Sequence, residues 1–234
     1  MKKSLLFFSF ILISINAFNQ ELGLFSQIDE IPNYLTDLKV NKIQYEEIRR
    51  NYVTINYSEL NNSSFSLNLF EDNEYECIIE YSKTSKFGLV SYIGNISNQS
   101  YSSVNLVRNG LKITGYIEIS GIIYSINPID NNIHIIREID PSLFNKQCFT
   151  QEKEYQKSNN KTINLKSKKN NSDLIFYPDD GNSIDVLVAY TSAAESAVAD
   201  INAEIQAAIN DANIGYTNSN INLSLNLVES LEVS

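Results

Sequence analysis

From Tyr52 onward apolar and polar residues alternate with a period of two, the spacing of strands that turn one face to a core. Val53, Ile55 and Tyr57 form one such run and Phe65, Leu67 and Leu69 another. Asn61-Asn62-Ser63-Ser64 and Glu71-Asp72-Asn73 supply turn residues around the second run. Further strands are predicted at Cys77–Tyr81, Leu89–Ile93, Ser103–Val107, Leu111–Ile119, Ile122–Ile126 and Ile133–Ile139, the last ending at Asp140-Pro141. Asn109-Gly110 and Ser120-Gly121 each divide two strand-like runs; both Asn109 and Gly110 tolerate positive φ, so a tight hairpin is expected there. The pattern predicts an antiparallel, all-β unit over about residues 52 to 140. Ahead of it, Ile31 to Arg50 mixes Leu35, Leu38, Ile43 and Ile48 with charges and reads as a short helix or a loop.

The end of the chain has a different texture. Ile184 to Tyr190 is a nearly continuous apolar run, as expected of a strand covered on both faces. Ser192 and Glu195 have the spacing of a capping box, and Ala197, Ile201, Ile205, Ala208, Ile209 and Ala212 then share one helical face. Gly215 stands where a left-handed C′ residue would end that helix. After a turn at Thr217 to Asn220, Ile221, Leu223, Leu225 and Leu227 alternate as a strand. The order is β-α-β, for which a right-handed crossover is expected. One such unit cannot cover both faces of its own sheet. Between the two regions, seven lysines fall between Lys146 and Lys169 among Asn, Ser and Gln, with little apolar periodicity. Two readings of this linker stay open: a plain spacer, or an exposed segment cut during maturation.

Composition narrows the function. The chain has 234 residues, enough for one ordinary domain or a small domain with part of another, and 43% hydrophobic residues support a packed core. A net charge of −10 argues against a nucleic-acid partner and against docking to anionic lipid. Lys2 and Lys3 precede an apolar run from Leu5 to Ile15, too short to span a bilayer, and Ala17 offers a small residue for cleavage. Residues 1–17 are therefore expected to be a signal peptide, the product secreted, and stable membrane insertion absent.

The chemistry available is thin. There is one histidine, His134, set in the apolar run Ile133 to Ile136, and it reads as a structural strand residue. Hydrolytic zinc sites take three protein ligands and leave a position for water. The helical H-E-x-x-H motif needs two histidines one turn apart, so a single histidine excludes it by arithmetic. A Cys148/His134 dyad has no supporting spacing, no nucleophile elbow occurs, and Asp179-Asp180 before Gly181-Asn182 reads as a turn rather than a calcium or acid–base pair. Asp185 marks the entry of a strand. Catalytic and cofactor-binding residues are accordingly expected to be absent from this chain.

Ile184 to Thr191, the Ala-rich helix ending Asn213-Ile214-Gly215-Tyr216, and Asn220 to Leu223 together resemble the opening of the reprolysin-like metzincin metallopeptidases, in particular secreted bacterial peptidyl-Asp metalloendopeptidase-like members. Leu67 to Asp72 resembles a segment of their pro-regions, and Gly115 to Ile119, Tyr124 to Ile126 and His134 to Ser142 resemble its end. The resemblance implies an α+β chain: a β-rich pro-domain over 18–150, a linker over 151–182 with a maturation site, and over 183–234 an incomplete β-α-β start of a catalytic domain. It implies zinc and a peptide substrate for the full-length parent, whose glutamate acts as general base on zinc-bound water. None of those catalytic residues maps onto this chain, which is expected to be inactive alone and to hold no zinc. The resemblance also implies a role for Cys148, as the inhibitory thiolate that occupies the open zinc position in related zymogens. A Cys77–Cys148 disulfide or a free thiol are the other readings. Two further functions stay open: a secreted β-rich binding or adhesion protein, and a protease inhibitor acting in trans.

Overall fold

The computed structural model describes residues 23–28, 47–130, 132–143 and 182–233. Nine strands form one antiparallel sheet: β1 (Phe25–Gln27), β2 (Glu47–Ile55), β3 (Ser64–Phe70), β4 (Asn73–Thr84), β5 (Val90–Ile96), β6 (Ser102–Asn109), β7 (Lys112–Ile119), β8 (Ile122–Pro128) and β9 (Ile133–Ile139). Their spatial order is β1-β2-β9-β8-β7-β6-β5-β4-β3, so β3 to β9 form a continuous meander and β2 closes against its last strand. The sheet curls until its two edge strands meet. The Leu24 amide donates to the Ser66 carbonyl at 2.8 Å, and the Asn68 side chain accepts from the Phe25 amide at 3.0 Å while donating back to the Phe25 carbonyl. One asparagine thus replaces a stretch of ladder, and the result is a nearly closed barrel.

Inside the barrel the alternating residues converge. Leu67, Val104, Leu106, Ile113, Ile117 and Ile126 are all fully buried in one core with Phe25, Val53 and Tyr124. Arg49 bridges the seam. Its guanidinium reaches Glu138 of β9 at 2.6 Å and Asp72 in the β3–β4 turn at 2.7 Å, and lies 4.0 Å from the centre of the Phe70 ring. Because Arg49 and Asp72 are partly in solvent, the value of this network lies in geometry more than in Coulomb energy.

Two hairpins show how turn chemistry sets register. Asn109 pairs with Lys112, so the turn is centred on Gly110-Leu111, and only Gly110 has positive φ (61°). The expected Asn-Gly centre is one residue out. At the next turn Ile119 pairs with Ile122, and Ser120 (φ 53°) and Gly121 (φ 83°) are both left-handed, the pattern of a type I′ turn. Residues 47–50, expected as helix or loop, are the start of β2; Arg49 reaches across the seam while Val53 and Ile55 reach the core.

The remaining residues form a β-α-β unit: β10 (Ser183–Thr191), the short helix α1 (Ser192–Ala197), α2 (Ile201–Asn218) and β11 (Ser224–Val233), with β10 and β11 parallel. The single helix expected from the apolar spacing is interrupted. Thr191, not Ser192, caps α1 by accepting from the Ala194 amide at 3.3 Å, and Asp200 caps α2 by accepting from Ala203 at 3.1 Å. Gly215 is interior to α2. The left-handed residue is Asn220 (φ 53°), with Ile221 N–H donating to the Tyr216 carbonyl and Asn220 N–H to the Thr217 carbonyl, a Schellman termination beyond the expected Gly215.

The strand β10 is covered on one face only. Val186, Val188 and Tyr190 pack on α2, whereas Ile184 and Leu187 are exposed, which corrects the expectation of a doubly covered strand. No helix among the described residues is long and apolar enough to cross a membrane.

One of the two tightest backbone approaches in the barrel gives a test. A Cβ on Gly94 would lie 2.1 Å from the Ile78 carbonyl oxygen, so β4 and β5 would have to separate. Gly94→Ala should cost about 3 kcal/mol by overpacking, whereas Gly110→Ala, strained only by its φ of 61°, should cost about 1 kcal/mol. Urea unfolding of the two variants checks the order.

Candidate functional site

The seat of α2 on the barrel is the most elaborately built polar site among the described residues. It begins with β6, where Val104 and Leu106 enter the core while Asn105 and Val107 face outward, beneath the helix. Ala203 and Ala207, one turn apart, bring α2 close to Val107 and Leu89; both alanines are buried. Small side chains here leave room for polar groups to meet across the contact.

Asn105, fully buried, is at the centre. Its amide donates to the Ala207 carbonyl at 2.8 Å and to Asp211 at 2.6 Å, and its oxygen accepts from Asn210 at 3.0 Å. Asn210 also donates to Ser91 of β5 at 3.0 Å. Toward the start of the helix, Glu204 accepts from the Tyr116 hydroxyl at 3.1 Å and from Asn127 at 2.8 Å, and Asn109 donates to Asp200 at 2.7 Å. Burial pushes both Glu204 and Asp211 above the usual carboxylate range; hydrogen bonds from Tyr116 and Asn127, and from Asn105, pull the other way. At the β4–β5 turn Lys86 donates to the Val228 carbonyl of β11. Val228 opposes no residue of β10, because the register shifts between Val186 and Leu187.

On its other side α2 presents Ile201, Ile205 and Ile209 to Val186, Val188, Tyr190, Leu225 and Leu227. Asn213 fixes this second contact by accepting from the Leu225 amide at 2.6 Å and donating to the Leu225 carbonyl at 3.0 Å. The helix is therefore a middle layer: apolar toward its own small sheet, polar toward the barrel. Beside its C-terminal end lies an open groove of about 1260 Å³, with Tyr81, Tyr101, Tyr116, Glu118 and Ile214 among its lining.

His134 is structural. It is fully buried, and its Nε2 accepts from the Ile113 amide at 2.9 Å, so the ring is neutral with its proton on Nδ1. Burial lowers its pKa to about 4, with the Asn132 backbone acting weakly in the opposite sense. Cys77 is buried in the core and its thiol is pushed up to about 12 by burial, which disfavours the thiolate that nucleophilic attack or metal ligation needs. Asp185 accepts from Asn226 at 2.8 Å across the parallel pair. Cys148 and Asp179-Asp180 lie outside the described residues. Among the described residues no three His, Cys, Asp or Glu side chains come together in a way that would hold a metal ion. With the one histidine committed to a backbone amide, these residues do not fit a hydrolytic zinc ion.

Sequence reasoning placed no function on Asn105, Asn210, Glu204 or Asp211. The available signal was a strand with asparagine in an apolar run, Val104-Asn105-Leu106-Val107, facing a helix with acidic and amide residues near alanines.

Comparison with known proteins adds one relative. A protein named peptidyl-Asp metalloendopeptidase from Stenotrophomonas maltophilia (strain R551-3) is 29% identical over 143 residues, covering 59% of this chain and 32% of that protein. The chain is related to a metallopeptidase. It spans about a third of the length of that curated relative. No family model matches, and no solved structure matches.

Two measurements follow from this site. Asn105→Ala removes three hydrogen bonds from a buried contact and should loosen α2 by about 3 kcal/mol, read as lost hydrogen-exchange protection over residues 201–218 with β7 and β8 unchanged. For His134, the folded pKa of about 4 lies below the ordinary value of 6.5, so the unfolded chain binds the proton first. Its contribution is fully present above pH 6.5 and is lost as the pH falls toward 4, about 3 kcal/mol in all. The stability gap between wild type and His134→Gln should narrow by that amount between pH 7 and pH 4, measured by urea unfolding.

Proposed function

We propose that this chain is the N-terminal part of an exported zinc metalloendopeptidase precursor, with the barrel as pro-domain and residues 183–234 as the opening of a reprolysin-like catalytic domain. The similarity to a named metalloendopeptidase carries the reading. Three features support it. The antiparallel barrel has its own core, to which no described residue after Ile136 contributes, as a removable pro-domain requires. The following unit is a parallel β-α-β with one exposed apolar face, suited to further packing. The contact between the two is rich in amide and carboxylate groups, as separable interfaces are.

In this reading residues 1–17 direct export, residues 151–182 contain the maturation cut, and peptide hydrolysis belongs to the parent enzyme. Zinc and its ligands belong there too, since the described residues do not suit it. Cys148 is the inhibitory thiolate that reaches the zinc of the parent. The self-sufficient core of the barrel also favours a second reading, a pro-domain-like inhibitor acting in trans. Packing of α2 on the barrel is equally compatible with a secreted binding protein; the metalloendopeptidase relative weighs against that.

The test is inhibition. Added to the mature Stenotrophomonas enzyme, the full chain should slow peptide hydrolysis, and Cys148→Ala should weaken that inhibition by about tenfold, the loss of one strong ligand contact. Unchanged hydrolysis, together with no gain in refolding yield of that enzyme, would refute the pro-domain reading. Equal inhibition by Cys148→Ala would remove the thiolate from it. The mass of the exported product should lack residues 1–17.

A further inference from the structure

We propose that the open groove beside the C-terminal end of α2 is the docking site of this chain's own basic linker, residues 157–169, bound as an intramolecular ligand. The linker is that of the pro-domain reading, yet its docking does not depend on that reading, and the test uses no peptidase of that family.

Three elements bring acid to the groove. Glu80 comes from β4, Glu118 from β7 and Asp211 from α2, and among the described residues no Lys, Arg or His lines it. Glu80 accepts from Asn95 at 2.8 Å and Asp211 from Asn105 at 2.6 Å, so neutral amides hold these two carboxylates in place. Tyr101, 87% exposed, and Tyr81, half exposed, bring aromatic rings to the same space, and Ile78 is exposed beside them. Carboxylates interleaved with uncovered phenol rings suit ammonium groups on aliphatic stems, which pair with the first and lie over the second. They suit an anionic ligand poorly.

The chain itself supplies a matching ligand. Lys157, Lys161, Lys166, Lys168 and Lys169 follow one another with no Asp or Glu from Tyr155 to Ser172, and Ile163 and Leu165 stand among them as apolar partners for the groove. Residues 144–181 lie outside the described residues, but both flanks of that segment are described. On one side β9 ends at Ile139, opposite Ile123 of β8, and Ile123 lines the groove. On the other, β10 begins at Ser183, opposite Ser224, and the Asn182 carbonyl accepts from the Ser224 amide at 2.8 Å. Ser224 comes shortly after Thr217 and Asn218, which also line the groove. The linker thus leaves and rejoins the fold at the end of the molecule where the groove opens. Anchoring at both ends gives its lysines a high effective concentration there. A second copy has no such advantage, and its net charge of −10 opposes approach to an acidic groove.

Two measurements on the full chain test this. A carbodiimide joins lysines to carboxylates already in contact with them. Mass spectrometry should find lysines 157–169 joined to Glu80 and Glu118 in preference to Glu195 and Glu232, which are exposed toward the other end of α2. Trypsin at low ionic strength should cut after Lys161 and Lys168 about fivefold more slowly in wild type than in the Glu80→Gln/Glu118→Gln variant, the effect of two exposed ion pairs. Salt at about 1 M should abolish that difference. Cutting after Lys153, which lies between Glu152 and Glu154, is the internal reference. Both substituted residues are exposed, and Asp211 is left intact because it also holds Asn105. Even coupling to all four carboxylates, or equal cutting in wild type and variant, would overturn the proposal. Coupling between isotopically distinct copies in a mixed sample would do so too, since a second molecule would then occupy the groove.

Discussion

Beside the Lys86 bond to Val228, the contact between the two sheets runs through one helix, and one buried amide sets where that helix lies. Asn105 sits on a strand already covered by the barrel core, so its outward side chain would be stranded without a partner if α2 were elsewhere. An unpaired buried amide costs more than a paired one returns, so this side chain acts as a selector of position rather than a source of stability. Alanines at 203 and 207 allow the approach, and Asn210 and Asp211 complete the network. The isoleucines on the opposite side of α2 then carry β10 and β11 along with it.

The strands were legible because each period-two run has a core on one side. Phe65, Leu67 and Leu69 were read correctly, and so was Ile133–Ile139, since burial of alternate residues leaves its mark in the sequence. Closure was not legible. It depends on Asn68 and Arg49 reaching strands far away in the chain, and polar residues at a seam look like polar residues at a surface. The end of α2 was misplaced because Gly215 and Asn220 can both adopt positive φ, and only the hydrogen bonds to Tyr216 and Thr217 decide between them. The break at Val198 to Asp200 was hidden for a similar reason: the apolar spacing runs across it, while the caps Thr191 and Asp200 are locally defined.

The candidate site was the least legible part. Counting histidines excludes the helical H-E-x-x-H motif, and the buried, neutral His134 agrees with its reading as a strand residue. The polar seat required knowing that residues about a hundred positions apart meet. Nothing in Val104-Asn105-Leu106-Val107 says that its outer face will meet a helix.

The barrel's closure has a consequence for how the chain behaves in concentrated solution. A sheet whose first and last strands bond to each other offers less open rim on which a neighbouring molecule can add a strand. The parallel pair β10–β11 is bordered by no further strand among the described residues and shows Ile184, Leu187 and Val233 to water. The polar-faced helix thus tethers the ribbon with the exposed apolar side chains to the sheet with the fewer open edges.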